Sequence, residues 1–192
     1  MGVPRLNSDP MTVEEFFAFT DRRPDDEKWE LIDGEPILNA TPSFLHQQIA
    51  GNVFEHLRML ARQQPRSWIA ISGIGVRILD TKLPVPDILV RPKNAPRGNP
   101  TSRECDDMIV AFEVLSPSTA DGDLRWKRIA YSTLPSLTHY VVIAQDAVDV
   151  VVFARETGFA ERRLKTLEAA LELPSLGIRL SLSDIYFETG LR

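Results

Sequence analysis

Cysteine is almost absent: Cys105 stands alone among the 192 residues. That excludes an intrachain disulfide and a cysteine-built zinc site, and it suits a reducing cytoplasm. No apolar run approaches the ~18 residues that cross a bilayer. The stretch Met1–Pro10 has one arginine and no apolar h-region, so a secretory signal is not expected and a cytoplasmic location is. Positive charge is not in excess either. The formal net charge is −5, which argues against a protein that coats nucleic acid nonspecifically, because such coating rests on neutralising phosphates. It leaves room for a nuclease, whose metal site needs carboxylates and whose basic patches can be local. There is no zinc-finger spacing, no obvious basic recognition helix, no internal repeat and no low-complexity tract.

What is present is an ordinary globular balance. Hydrophobic residues make up 43% and charged residues 26%, enough to build one core, and the length suits one domain over 1–192 and hardly two. Thr12-Val-Glu-Glu15 is a capping box, predicting a short helix with Phe16, Phe17 and Phe19. Trp29–Leu38 predicts a hairpin turning at Asp33-Gly34, with Pro36 placing its strand at an edge. Ile49, Val53, Leu57, Leu60 and Ala61 recur at helical spacing and predict a long helix over about Ser43–Gln64, stopped by Pro65. Strands follow over Trp68–Leu79, Val85–Val90 and Met108–Leu115, the last two apolar enough to be buried on both faces. A second helix is expected from about Gly122 to Leu134, then strands over Tyr140–Ala144 and Val148–Ala154 and a further one within Phe159–Leu167. Leu180–Phe187 closes as a strand end and a short helix capped by Ser183. The fold class is α/β, a mixed sheet flanked by helices. The segment Arg91–Glu104 reads as a loop containing Pro92, Pro96, Gly98 and Pro100.

Two acids sit where strands should be apolar. Asp87 follows Pro86 in Leu-Pro-Val-Pro-Asp-Ile-Leu-Val, and Glu113 lies inside Ile-Val-Ala-Phe-Glu-Val-Leu. A buried ionised carboxylate costs several kcal/mol or more unless it is paired or bound to a metal. If the two strands are neighbours, both acids point at one place, and a hard divalent cation is a natural occupant. The plainer alternative is a strand-end acid in solvent or an acid paired with an arginine. Arg91, Lys93, Arg97 and Arg103 in the loop, with Arg125, Lys127 and Arg128 on the second helix, form a positive rim only if both segments lie at one sheet edge. Otherwise they are a solvated loop and a solvated helix face.

These residues, taken in order, resemble the Uma-type restriction endonucleases of the PD-(D/E)XK nuclease superfamily. The match runs over about residues 10–187. It rests on Trp29-Glu-Leu-Ile-Asp-Gly-Glu35, His46-Gln47, Pro86-Asp87, Glu113-Val-Leu-Ser-Pro-Ser-Thr119, Asp123-x-x-x-Lys127-x-x-x-Tyr131 and a strand led by Tyr140. The resemblance implies a restriction-endonuclease-like domain that hydrolyses DNA, and superfamily nucleases are often homodimers, to which the apolar Tyr140–Ala144 and Val148–Ala154 pair could contribute if it is not simply core. It implies Mg²⁺ or Mn²⁺ on Asp87, Glu113 and the backbone carbonyl of Val114. The superfamily's usual lysine, two residues after the glutamate, is replaced by Leu115, so the resemblance passes that role to Lys127, which spacing alone would leave a solvated helix lysine. Glu30 and His46 are additional catalytic candidates on the same ground; otherwise Glu30 faces water and His46 caps or packs. Asp123 need only pair with Lys127 across one helical turn. An acid that family members commonly carry before the Tyr140 position is His139 here, and no role follows for it. The alternative implied by Leu115 and the acidic charge is a nuclease fold that binds nucleic acid or a partner without turnover; a third is an unrelated α/β protein, in which Asp87 and Glu113 would lie far apart.

Overall fold

The computed structural model describes residues 9–63, 66–95, 101–115 and 120–192, with the side chains of 120–124 also outside the description. Helix α1 (Val13–Thr20) opens on the expected capping box: Thr12 Oγ1 accepts from the Glu15 N–H, and the Glu15 carboxylate accepts from the Thr12 N–H. Strands β1 (Trp29–Ile32) and β2 (Glu35–Leu38) form the hairpin. Asp33 and Gly34 turn it at φ 48° and 77°, values that glycine adopts without strain and aspartate tolerates. Helix α2 (Phe44–Gln63) buries Ile49, Val53 and Leu57 on one stripe; the expected stop at Pro65 lies outside the described residues.

The single strand expected over Trp68–Leu79 is two: β3 (Trp68–Ile71) and β4 (Gly75–Val76). Gly73 at φ 70° breaks the extended chain between them. Strand β5 (Ile88–Pro92) starts later than expected, so Asp87 stands just before it. Arg91 and Pro92 therefore belong to a strand and not to a loop. At the loop's other end, Glu104 and Cys105 form β6, a short strand parallel to β4 that the sequence pattern did not reveal. Strand β7 (Val110–Leu115) is buried throughout. After α3 (Ala120–Ser132) come β8 (His139–Ala144), β9 (Val150–Ala154) and β10 (Glu161–Leu164). A hairpin of β11 (Ala170–Leu173) and β12 (Ile178–Ser181) and the short helix α4 (Leu182–Ile185) end the chain. β11 was not expected, and the cap of α4 is Ser181, whose Oγ accepts from the Asp184 N–H, and not Ser183.

The main sheet has six strands in the order β10-β9-β8-β7-β5-β3, antiparallel except for the parallel pair β7–β8. Alternation along the strands divides its side chains between two cores. Val110, Phe112 and Val114 of β7 join Ile49, Val53 and Leu57 of α2 and the β11–β12 hairpin. Ala111 and Leu115 join Tyr131 of α3, Tyr140 and Phe153 on the other face. Strands β8 and β9 bury side chains on both faces, so their apolar excess is core. A third, smaller cluster holds α1 to the hairpin through Val13, Phe16, Leu31 and Leu83. No helix among the described residues is long and apolar enough to cross a membrane.

The hairpin turn also carries the N-terminal chain, since Gly34 accepts from Met11 N–H at 3.0 Å and donates to Thr81 at 2.8 Å. A Cβ at Gly34 would lie 2.5 Å from Pro10 Cβ and 2.8 Å from Met11 N. Gly34→Ala adds this clash to the cost of a left-handed alanine, about 1–2 kcal/mol by itself. Urea denaturation is expected to show a loss of at least that size.

Candidate active site

The site is assembled where three segments meet. Leu31 of β1 and Leu83 exchange backbone hydrogen bonds (Leu31 N–H to Leu83 at 3.2 Å, Leu83 N–H to Leu31 at 2.9 Å). This bridge lays the hairpin along the segment leading to Asp87. Alternation then turns Leu31 into the α1 cluster and Glu30 the opposite way, toward β7 and α3. Glu30 is only 3% exposed, so it does not face water. Its Oε1 accepts from the Val85 N–H at 2.7 Å and lies 3.0 Å from Lys127 Nζ.

Glu113, also 3% exposed, points from β7 to the same face. Its Oε1 accepts from Lys127 Nζ at 3.0 Å and from the Tyr131 hydroxyl at 3.0 Å. Lys127 and Tyr131 are one helical turn apart on the buried side of α3, which is why both reach one oxygen. Lys127 is thus a buried ammonium, 6% exposed, between two carboxylates; its described partners are Glu30 and Glu113, and the Asp123 side chain lies outside the described residues. Tyr131 was legible as part of the Lys127-x-x-x-Tyr131 spacing but had been given no role.

Asp87 meets the site from the end of β5. Its Oδ2 accepts from the Val114 N–H at 2.8 Å and lies 3.2 Å from His46 Nε2. The Leu115 carbonyl accepts from the Gln145 N–H on the β8 side. Along an extended strand the next residue's N–H and C=O turn the other way, so the Val114 carbonyl shares the side on which Asp87 sits. His46 is set by the first turn of α2: Ser43 Oγ accepts from the His46 N–H at 3.1 Å and donates to Gln145 Oε1 at 2.8 Å, tying the helix start to the end of β8. The Nδ1 of His46 is buried without a hydrogen-bond partner among the described residues.

Burial pushes Glu113 up to about 8, against the pull of Lys127 and with the push of Asp87 and Glu30. Burial alone would lower Lys127, but Glu113 and Glu30 outweigh it and hold the ammonium well above its ordinary range. Burial and Glu113 likewise keep Tyr131 protonated.

A cleft of about 980 Å³ opens over Glu30, His46, Asp87, Glu113 and Lys127 and runs on between α1 and α2. The basic segments do not gather around it. Of the described residues named as a rim, Arg103 and Lys127 line the cleft. Arg91 pairs with Asp107 at 2.7 Å, and Arg128 lies over Phe153. Arg97 lies outside the described residues, as do Ser116–Thr119 of the Glu113 block.

Among the described residues no group of three or more His, Cys, Asp and Glu side chains forms a metal cage. Two carboxylates and a carbonyl are nonetheless a donor set that fits Mg²⁺ or Mn²⁺, which take hard oxygens, few from protein, and keep several waters. The chemistry such an arrangement can support is attack on a phosphate diester beside a fixed cation.

A mixed sheet with helices on both faces, one acid inside a central strand and another at the start of its neighbour, defines the class: a restriction-endonuclease-like nuclease fold. Residues 13–183 match the family described as "Uma2: Putative restriction endonuclease", and the chain belongs to that family. Its fold is that of a crystal structure described as a putative nuclease belonging to DUF820 from Anabaena variabilis, with a TM-score of 0.76 and 19% identity over 92% of this chain and 98% of that one. No curated protein matches the chain.

Two outcomes follow for the metal-free protein. Lys127→Met leaves Glu30 buried without its cation and Glu113 without one of its hydrogen-bond donors, and is expected to cost about 3–5 kcal/mol in urea denaturation. Between pH 4.5 and about 8 folded Glu113 keeps a proton that the unfolded chain has released. Stability is therefore expected to fall as pH rises through that window, and thermal melts of Glu113→Gln to be flatter there.

Proposed function

We propose that this protein is a divalent-metal-dependent endonuclease that hydrolyses phosphodiester bonds of DNA. The observation that carries the reading is the Asp87 carboxylate bonded to the Val114 N–H, immediately beside Glu113, with Lys127 behind them. Asp87, Glu113 and the Val114 carbonyl would hold Mg²⁺ or Mn²⁺. When bound, the ion polarises the phosphodiester and makes water a better nucleophile.

The chain's own residues supply the rest. Glu113 and Glu30 keep Lys127 charged, which suits it to stabilise negative charge developing on the phosphate and not to take a proton from water. His46 holds the Asp87 carboxylate through Nε2, at the same Oδ2 that accepts from the Val114 N–H. Tyr131 fixes one oxygen of Glu113, leaving the other as the ligand atom. Leu115 fits this scheme: the lysine absent there is supplied from α3, on the same face of β7.

A second reading is favoured by one observation. The position two residues after Glu113, where the superfamily's usual lysine stands, is Leu115 in a chain of net charge −5, as it could be in a nuclease fold that binds without turnover. One experiment separates the two. Supercoiled plasmid incubated with Mg²⁺ or Mn²⁺ is expected to be nicked and linearised. Asp87→Asn and Glu113→Gln are each expected to slow this by roughly 10²-fold or more. Metal uptake by calorimetry with no cleavage selects the binding reading, and equal cleavage by wild type and both variants removes the site.

A further inference from the structure

One part of the cleft lining, beside α1, has a construction that the hydrolytic site does not require. Arg103 lines it, with its guanidinium carbon 4.2 Å from the centre of the Phe17 ring. Its Nη1 is 2.7 Å from Asp21 Oδ1, and its backbone carbonyl accepts from the Gly75 N–H at 2.9 Å. A cation is thus held over an aromatic ring, paired at one nitrogen with Asp21 and anchored through its main chain. Its side chain is still 49% exposed. A half-exposed guanidinium over an aromatic ring is a surface on which a nucleic acid base can stack.

The walls around it are poor ones for a duplex. Glu30, Glu113 and Lys127 form a floor only 3–6% exposed, so a phosphate must descend to reach them. About 980 Å³ is the upper end of small-ligand pockets, roughly 300–1,000 Å³. That leaves space for a few unstacked nucleotides and not for the girth of a double helix. Of the cations that line the cleft, Lys28, Arg103 and Lys127, two are already engaged: Arg103 with Asp21, and Lys127 with Glu30 and Glu113. With a net charge of −5, the electrostatic grip that holds duplex backbones is weak.

We infer that the substrate of this site is single-stranded or locally unpaired DNA, one base of which stacks on the Arg103–Phe17 platform while the neighbouring backbone descends to Asp87 and Glu113. Stacking of this kind tolerates any base, so the platform gives strand preference without sequence preference. The inference rests on the hydrolytic reading for its chemistry but not for its binding step.

The test uses the full chain and one labelled oligonucleotide, alone and annealed to its complement. Cleavage is followed in Mn²⁺, and binding by fluorescence anisotropy in Ca²⁺. The single strand is expected to be cut faster and bound tighter than the duplex, each by about tenfold or more. Arg103→Ala and Arg103→Lys are expected to lose that preference alike, because lysine keeps the charge and loses the plane; circular dichroism checks that both fold. Duplex cut as fast as single strand, in a reaction abolished by Glu113→Gln, overturns the inference and leaves the nuclease reading intact. So does a strand preference that Arg103→Lys retains. If neither DNA is cut, the nuclease reading fails and anisotropy alone decides. A single-strand preference lost in Arg103→Lys upholds the platform, and equal binding of the two forms overturns it.

Discussion

One buried ammonium holds this architecture together. Lys127 lies 3.0 Å from a carboxylate oxygen of Glu30 on the N-terminal hairpin and 3.0 Å from one of Glu113 on the central strand, while its own backbone belongs to α3. Taking an ammonium and the carboxyl groups around it out of water costs several kcal/mol for each group that is ionised, and attraction repays this only where geometry is good and the remaining hydrogen bonds are made. Here Tyr131 and the Val85 N–H make two of them. The cluster is therefore weak support for stability as such, and strong support for arrangement. A hairpin displaced by one residue would turn Glu30 away and leave Lys127 with a single partner.

The same cluster explains how a small hairpin outside the main sheet comes to belong to the site. β1 and β2 form a two-stranded sheet of their own, which is marginal in isolation. Leu31 and Leu83 bond it to the approach to β5 on one side, and Glu30 locks it to α3 on the other. Asp33 in its turn continues the contact, accepting from Trp126 Nε1 at 3.1 Å and pairing with Lys82 at 2.8 Å. The wall opposite α2 is thus fixed by polar contacts to the very helix that carries Lys127.

Much of this could be read from residue order, and the limits are instructive. The capping box, the Asp33-Gly34 turn, the stripe on α2 and the apolar runs of β5 and β7 were legible because each is a local signal with a local cause. Glu113 was legible for the opposite reason: it is an acid inside an apolar strand. Gly73 was not read as a break, since one glycine in a strand pattern is ambiguous until its φ is known. β6 escaped because a two-residue strand carries too little periodicity, and β11 because Ala-Leu-Glu-Leu has neither a β-branched nor an aromatic residue. Glu30 could not be placed by alternation alone, because alternation says that it faces away from Leu31 and not what lies on the other side. The basic rim failed for a related reason: charge counts along a chain do not show that Arg91 already has Asp107.

The contacts that complete the site also order it in time. Ser43 reaches Gln145 across 102 residues of sequence, and Glu30 reaches Val85 across 55. Contacts of such separation demand that long loops close before anything is gained, and they form late in folding. Helix α2 and the capped α1 can form early from local signals, but the acids stay unassembled until the chain has folded back on itself. During biosynthesis a nascent chain that has not yet released Gln145 cannot anchor α2 over β7, so the chemistry waits for the architecture.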